Sequence, residues 1–254
     1  GFGGYTSIPS IIAAKFLRIT IIIHEQNAIM GKTNRILSNL TNNVAITFPN
    51  TKYANSSAFL TGIPIRKRKK LSKKKTNTKR LFIMGGSQGA AFFSYFIPKL
   101  ISNFSEATKR KIIIVQQIRN EDKEETMGIY KEMKIKFILK DFFDDIYNQL
   151  NKADLVISRC GASSLAEIEL HKKFSVLFPL KSSMNNHQYH NAIEFKKKNH
   201  CFIIDENKIN IVQISKKIEK FIFNNKKTHK SNNSVKFTQK LSLSDLINKV
   251  LKNV

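Results

Sequence analysis

The chain has 254 residues, enough to bury the core of one large or two medium domains, and its hydrophobic fraction of 41% excludes wholesale disorder. Two cysteines far apart, Cys160 and Cys201, argue against a disulfide scaffold or a zinc ribbon and favour a reducing, cytosolic setting. The net charge of +26 suits polyanionic partners, yet no apolar run approaches the roughly 18 residues of a membrane-spanning helix.

That charge has two readings. Lys, Asn and Ile are abundant together, as in EFKKKNH and FNNKKTHKSNNS, and an A- and T-rich gene inflates those three types without selection for binding. The other reading is attraction to anionic head groups or nucleic acid. Basic residues interleaved with stacking aromatics are missing, and Trp is absent, which weakens the nucleic-acid version.

The chain opens on GFGGYTS, with neither an initiator methionine nor the basic-then-apolar build of a signal peptide, and reads as starting inside a longer protein. A helix is expected over SIPSIIAAKFL, where Pro9 suits a first turn, followed by a strand at ITIII, residues 19–23. Next comes HEQNAIMGKTN. His24-Glu25 is half of a zincin motif, but Ala28 stands where the second histidine belongs. What remains is either a buried, satisfied His–Glu pair at a strand end or a polar group facing a cleft, with Asn27 as a ligand contact. One strand and two helices leave residues 1–64 with an unpaired sheet edge and too small a core of their own. Residues 65–80 carry ten Lys/Arg among sixteen and read as an exposed linker.

Beyond the linker, strands expected at 81–84, 111–115, 135–139, 154–158 and 174–178 alternate with helices near 89–103, 121–133, 143–152 and 163–172. Pro98 argues against the second half of the first of these helices. Continuous apolar strands separated by helices point to an α/β fold with a doubly wound parallel sheet spanning 81–225. The tail, 226–254, ends in an amphipathic closing helix.

Three stretches of this part could carry chemistry. In FIMGGSQGA a strand hands over to a helix through Gly85 and Gly86, with Ser87, Gln88 and Gly89 following. Free N–H groups at a helix start, approached through glycine, favour a phosphate or diphosphate. A tight connection with a strained glycine explains the same residues. The spacing is neither G-x-G-x-x-G nor the Walker pattern. In DLVISRCGASSLAEIE, Ser164 and Glu167 form S-x-x-E, which is either a capping box or a carboxylate offered to a vicinal diol such as ribose from a helix's first turn. In FPLKSSMNNHQYHNA, His187, Gln188, His190 and Asn191 crowd a loop-to-helix start, suiting a hydroxyl-rich ligand better than a metal.

In this order and spacing, FGGYTSIPS, HEQNAIMGKTNRILS, TGIPIR, IMGGSQGA, NKADLVISRCGASSLAEIE and NNHQYHNA resemble the MurG family. That family moves N-acetylglucosamine from UDP-GlcNAc onto undecaprenyl-pyrophosphoryl-muramyl-pentapeptide at the cytoplasmic face of the bacterial inner membrane, as a peripheral enzyme of peptidoglycan synthesis. The resemblance implies a GT-B fold of two Rossmann-like halves, the first incomplete here, with inversion at the anomeric carbon, no cofactor or metal, and no nucleic-acid partner. It places Ser87 on the diphosphate, the backbone near Phe143 beside uracil, and Ala162, Ser163, Ser164, Leu165, Ala166 and Glu167 along the nucleotide, with Glu167 on ribose. Gln188 is placed on the GlcNAc hydroxyls, Asn27 and Arg66 as further donor contacts, and Glu25 and His24 as the family-like candidates for a base. The chain departs from the family in opening at what resembles its second glycine loop, roughly a hundred residues in. It also departs in Phe143, where isoleucine is usual, and in a longer 181–188 loop. From these departures, weak UDP-sugar binding and little turnover are expected of residues 1–254 alone. Rival readings are another GT-B sugar-nucleotide enzyme, a basic nucleic-acid-binding protein, or a catalytically dead remnant.

Overall fold

The structure, a computed structural model, describes residues 1–65, 77–224 and 242–252. It contains two parallel sheets. The first is built from helix α1 (Ser7–Phe16), β1 (Ile23–Glu25), α2 (Lys32–Leu37), β2 (Val44–Ile46) and β3 (Phe59–Leu60), with strand order β1-β2-β3. The second follows as β4 (Lys79–Met84), α3 (Gly86–Ser102), α4 (Glu106–Lys109), β5 (Ile112–Gln117), α5 (Asn120–Glu132), β6 (Lys136–Lys140), α6 (Ile146–Lys152), β7 (Leu155–Ser158), α7 (Ala162–Leu170), β8 (Ser175–Leu177), α8 (His187–Lys196), β9 (Cys201–Ile203) and α9 (Ile211–Asn224). A closing helix, α10, spans Leu243–Leu251.

The second sheet runs β6-β5-β4-β7-β8-β9, all parallel. Counted from β4, this is the 3-2-1-4-5-6 order of a doubly wound nucleotide-binding sheet. The apolar run of β4 is continuous because both faces are covered. Leu81 and Ile83 enter one core with Phe93, Ile97 and Ile218, while Phe82 and Met84 enter another with Leu165, Ile168 and Phe195.

Four expectations are corrected. The strand expected over 19–23 begins only at Ile23, where pairing with Val44 starts, and runs to Glu25. The first sheet has three strands rather than one, because Val44–Ile46 and Phe59–Leu60 pair in parallel beside β1. Helix α3 continues through Pro98 to Ser102. An interior proline costs about 3 kcal/mol, but Phe96, Ile97, Leu100 and Ile101 are buried around it, each contributing roughly 1.5–3 kcal/mol. Lastly, the 65–80 stretch is not linker to its end, since β4 begins at Lys79; residues 66–76 of it lie outside the described residues.

Helix α10 shows what covers the first sheet. Ser242 and Asp245 form a reciprocal capping box, and Leu243, Leu246 and Val250 pack on Ala45, with Ile22 and Phe59 beside them.

Candidate functional site

In a doubly wound sheet, ligands bind beyond the carboxyl ends of the strands at the point where the strand order reverses. Here that point lies between β4 and β7, and each strand leads directly into a helix. After Met84, Gly85 caps α3 at φ −96° and ψ −18°, so the helix starts with Gly86, Ser87 and Gln88 in its first turn and Gly89 next. This backbone is open to any residue, so Gly85 is not a strained glycine. After Ser158, Gly161 caps α7 in extended geometry with no side-chain cap. Both helices therefore start beyond the ends of adjacent strands, at the switch-point crevice, and first-turn N–H groups favour anions.

The α7 residues divide by burial. Ala162 packs against Ala28 and Phe48 of the first sheet's loops. Leu165 is 1% exposed, within the second sheet's core, so it offers a ligand only backbone. Ser163 is exposed, and Ser164, Ala166 and Glu167 are half-buried. Ser164 is the third helical residue and Glu167 the sixth, which overturns the capping box and moves Glu167 from the first turn to the second. Phe143 meets Phe82 edge-on, ring centroids 5.5 Å apart, and its side chain belongs to the core. Arg66 lies outside the described residues.

Gln188 begins α8 beside this crevice. Its Oε1 accepts the backbone N–H of Cys160 at 3.0 Å and of Leu180 at 3.1 Å. With the carbonyl end pinned, the half-buried amide turns its Nε2 donors away from those two backbones. The approach to this helix is strained, for Asn185 and Asn186 both adopt left-handed backbone, φ 52° and 54°.

Across the crevice stands the HEQN loop. Glu25 is 3% exposed and accepts four hydrogen bonds. Its Oε1 takes Asn27 N at 2.9 Å and Asn27 Nδ2 at 3.2 Å; its Oε2 takes Gly31 N at 3.0 Å and Asn34 Nδ2 at 2.8 Å. A carboxylate has about four lone-pair directions, and all are used. His24 is 2% exposed, with Nε2 2.8 Å from Gly62 O, which makes Nε2 the protonated nitrogen and leaves Nδ1 buried without a protein partner among the described residues. Burial holds the pKa of His24 below its ordinary value, so the ring is neutral. Neither group presents a free lone pair to solvent. That geometry makes Glu25 an organiser of the loop and departs from its expected part as a base.

One residue near the crevice, Arg159, was not singled out by sequence. Arg159, 6% exposed, follows β7, pairs with Glu206, donates to Phe178 O at 3.3 Å and lies 4.6 Å from the Phe92 ring centroid. Burial lowers its pKa to about 10, which still leaves it charged at neutral pH behind the crevice. Asn191, one of the four polar residues singled out at the start of α8, is fully buried between the two halves of the site, three residues from Gln188 on one face of the helix.

The model of the glycosyltransferase family 28 C-terminal domain matches residues 80–249, and that of its N-terminal domain matches residues 1–46. A Wolbachia relative from Brugia malayi is 37% identical over 88% of this chain and 64% of its own length, and one from Rickettsia bellii is 38% identical over 89% and 67%. Both are named UDP-N-acetylglucosamine--N-acetylmuramyl-(pentapeptide) pyrophosphoryl-undecaprenol N-acetylglucosamine transferase. The crystal structure of Acinetobacter baumannii MurG superposes with a TM-score of 0.77 at 25% identity, covering 99% of this chain and 72% of that one. The chain thus spans roughly two thirds of the length of such relatives. A UDP-GlcNAc 2-epimerase from Listeria monocytogenes shares the fold at a TM-score of 0.58 and 12% identity. With the C-terminal model covering two thirds of the residues and the N-terminal one matching the start, the chain belongs to glycosyltransferase family 28.

Proposed function

We propose that the chain supplies the donor-binding half, and part of the acceptor-side wall, of a MurG-type transferase. It would move N-acetylglucosamine from UDP-GlcNAc to undecaprenyl-pyrophosphoryl-muramyl-pentapeptide in peptidoglycan synthesis. The observation that carries this reading is the pair of helix starts, α3 and α7, meeting at the switch point opposite the HEQN loop. On this reading residues 81–225 hold the donor, 1–64 form the facing wall, and 65–80 connect them.

The reaction is a displacement at the anomeric carbon. The acceptor's 4-hydroxyl oxygen bonds to it while the bond to the diphosphate oxygen breaks and its electron pair leaves with UDP. The N–H groups of Gly86, Ser87 and Gln88, in the first turn of α3, would stabilise the developing diphosphate charge. Glu167 would accept hydrogen bonds from the ribose hydroxyls, and Gln188 would donate from Nε2 to sugar hydroxyls. Glu25 would hold Asn27 in place. The hydroxyl proton would go to a base, for which His24 Nδ1, buried and without a protein partner among the described residues, is the candidate.

Peripheral attachment to the cytoplasmic face of the inner membrane belongs to the same reading. Among the described residues no helix is long and apolar enough to cross a membrane. Phe16 and Leu17, 84% and 70% exposed, adjoin Lys15 and Arg18, a combination suited to an anionic lipid surface.

Calorimetric titration with UDP-GlcNAc and, separately, with short duplex DNA at physiological salt tests the assignment. Saturable nucleotide binding is expected, weakened about tenfold by Glu167→Ala, with DNA binding that collapses as salt rises. DNA binding that outlasts salt, together with no response to UDP-GlcNAc, would overturn it.

A further inference from the structure

The side-chain amide of Asn191 joins three segments. Its Oδ1 accepts the Ala28 N–H at 2.7 Å, and its Nδ2 donates to Asn27 Oδ1 and to Cys160 O, each at 3.1 Å. Asn27 and Ala28 belong to the HEQN loop beside the first sheet; Cys160 belongs to the turn that launches α7 from the second. Asn191 itself is 0% exposed.

Only an amide satisfies this set. The Ala28 N–H demands an acceptor and the Cys160 carbonyl demands a donor, which also settles which end of the amide points where. A carboxylate would keep the first bond and lose the other two. An aliphatic side chain of equal size would leave the buried Ala28 N–H and Cys160 C=O, and the half-buried Asn27 Oδ1, without these partners, which is costly.

Gln188 and Asn191 lie three residues apart on α8 and grip the same residue from both ends. Gln188 takes the Cys160 N–H while Asn191 takes its C=O. Cys160 immediately precedes Gly161, the cap of α7. On the other side, Asn27 is held by Glu25. A continuous chain of hydrogen bonds therefore runs from Glu25 through Asn27, Asn191 and Cys160 to Gln188. One turn along α8, Asn50 Nδ2 reaches Glu194 at 3.2 Å, a second polar tie from the first sheet's loops to the same helix face.

We propose that Asn191 is a positioning residue that locks the HEQN loop to the α7 turn and so sets how the sugar end of a nucleotide-sugar is held between them. This rests on the reading of the crevice as a donor site, since Asn27 and Gln188 are the groups placed on either side of the sugar. Uridine and diphosphate depend on α3 and α7 and should feel the lock less.

The test uses the full 254-residue chain and two variants, Asn191→Leu and Asn191→Asp. Without nucleotide, amide hydrogen exchange at Ala28 is expected to speed up at least tenfold in Asn191→Leu, with β4 amides unchanged. Asn191→Asp, which keeps the acceptor, should restore that protection to within about threefold of the native rate. With nucleotide, both variants should bind UDP-GlcNAc at least tenfold more weakly and UDP within about threefold of the native chain. A residue needed only for stability would weaken both ligands alike, and that outcome overturns the proposal. Unchanged exchange at Ala28 in Asn191→Leu overturns it too. A native chain that binds neither nucleotide defeats the donor-site reading instead, and with it the sugar-holding part of the proposal, while exchange at Ala28 still decides whether the lock exists.

Discussion

Glu25 shows how a side chain that looks reactive in sequence becomes architectural once its neighbours are in place. Replacing it with Gln puts an NH2 where the carboxylate met donors, so at least one pair among Gly31 N, Asn34 Nδ2 and the two Asn27 donors is set donor against donor. Hydrogen bonds to a charged acceptor are worth about 1.5–3 kcal/mol each, so Glu25→Gln should cost about 2–4 kcal/mol in chemical denaturation. A loss under 0.5 kcal/mol would contradict this account. His24 carries a pH dependence whose sign follows from burial. Its pKa in the fold lies below the ordinary 6.5, so above that pH both folded and unfolded states are neutral and nothing is lost. As pH falls from 6.5 towards the depressed value, the unfolded chain takes up a proton the folded chain refuses, and stability drops. His190, also depressed, adds a slope of the same sign. The comparison is therefore with His24→Gln, whose loss of stability between pH 7.5 and 5.5 should be shallower than the native chain's. At this scale the sequence showed residue types better than their contacts. Gln188 and Asn27 could be picked out by type, but the partners of Glu25 and the burial of Leu165 depend on contacts that no local pattern encodes.

Among the elements, several of the long ones were legible, though not α9. The strands β4, β5 and β7 and the helices α5, α6 and α7 all fall within a few residues of expectation, because apolar runs bounded by turn residues leave few alternatives. Of the short strands, β8 falls within the expected 174–178, but three others were not read. Strands β2, β3 and β9 span three, two and three residues, too few to show a period, and exist because a neighbouring strand supplies their partners. Helix α3 passed Pro98 for the same kind of reason, tertiary burial outweighing a local cost. The closing helix was legible from its amphipathic pattern, although its docking place was not. If α10 is what seals the first sheet, Leu246→Ala should destabilise by about 2–5 kcal/mol. Hydrogen exchange should then rise at β2 and leave the β4 and β7 amides at their native rates. Uniform loosening of both sheets would show that α10 contributes to something other than the first.

For the whole molecule, the +26 charge and the exposed apolar residues of α1 predict how the chain meets a lipid surface. Sedimentation with vesicles should show binding that needs anionic lipid and weakens with salt, since exposed charges are screened beyond a Debye length of about 10 Å at 0.1 M. The double change Phe16→Ser, Leu17→Ser should reduce it about tenfold or more, as each buried apolar side chain is worth about 1.5–3 kcal/mol. Equal binding to neutral vesicles would refute the electrostatic half of that picture. The parallel, doubly wound character of the second sheet was foreseeable from strand–helix alternation; the docking of α10 on the first sheet was not, because it pairs residues far apart in sequence. That docking has a temporal consequence. Phe59 emerges from the ribosome long before Leu243, and at roughly 5–20 residues per second the gap is on the order of ten to forty seconds. Throughout that interval β2 and β3 wait for α10 to cover the face that carries Ala45 and Phe59, so this part of the newborn chain should be one that chaperones hold.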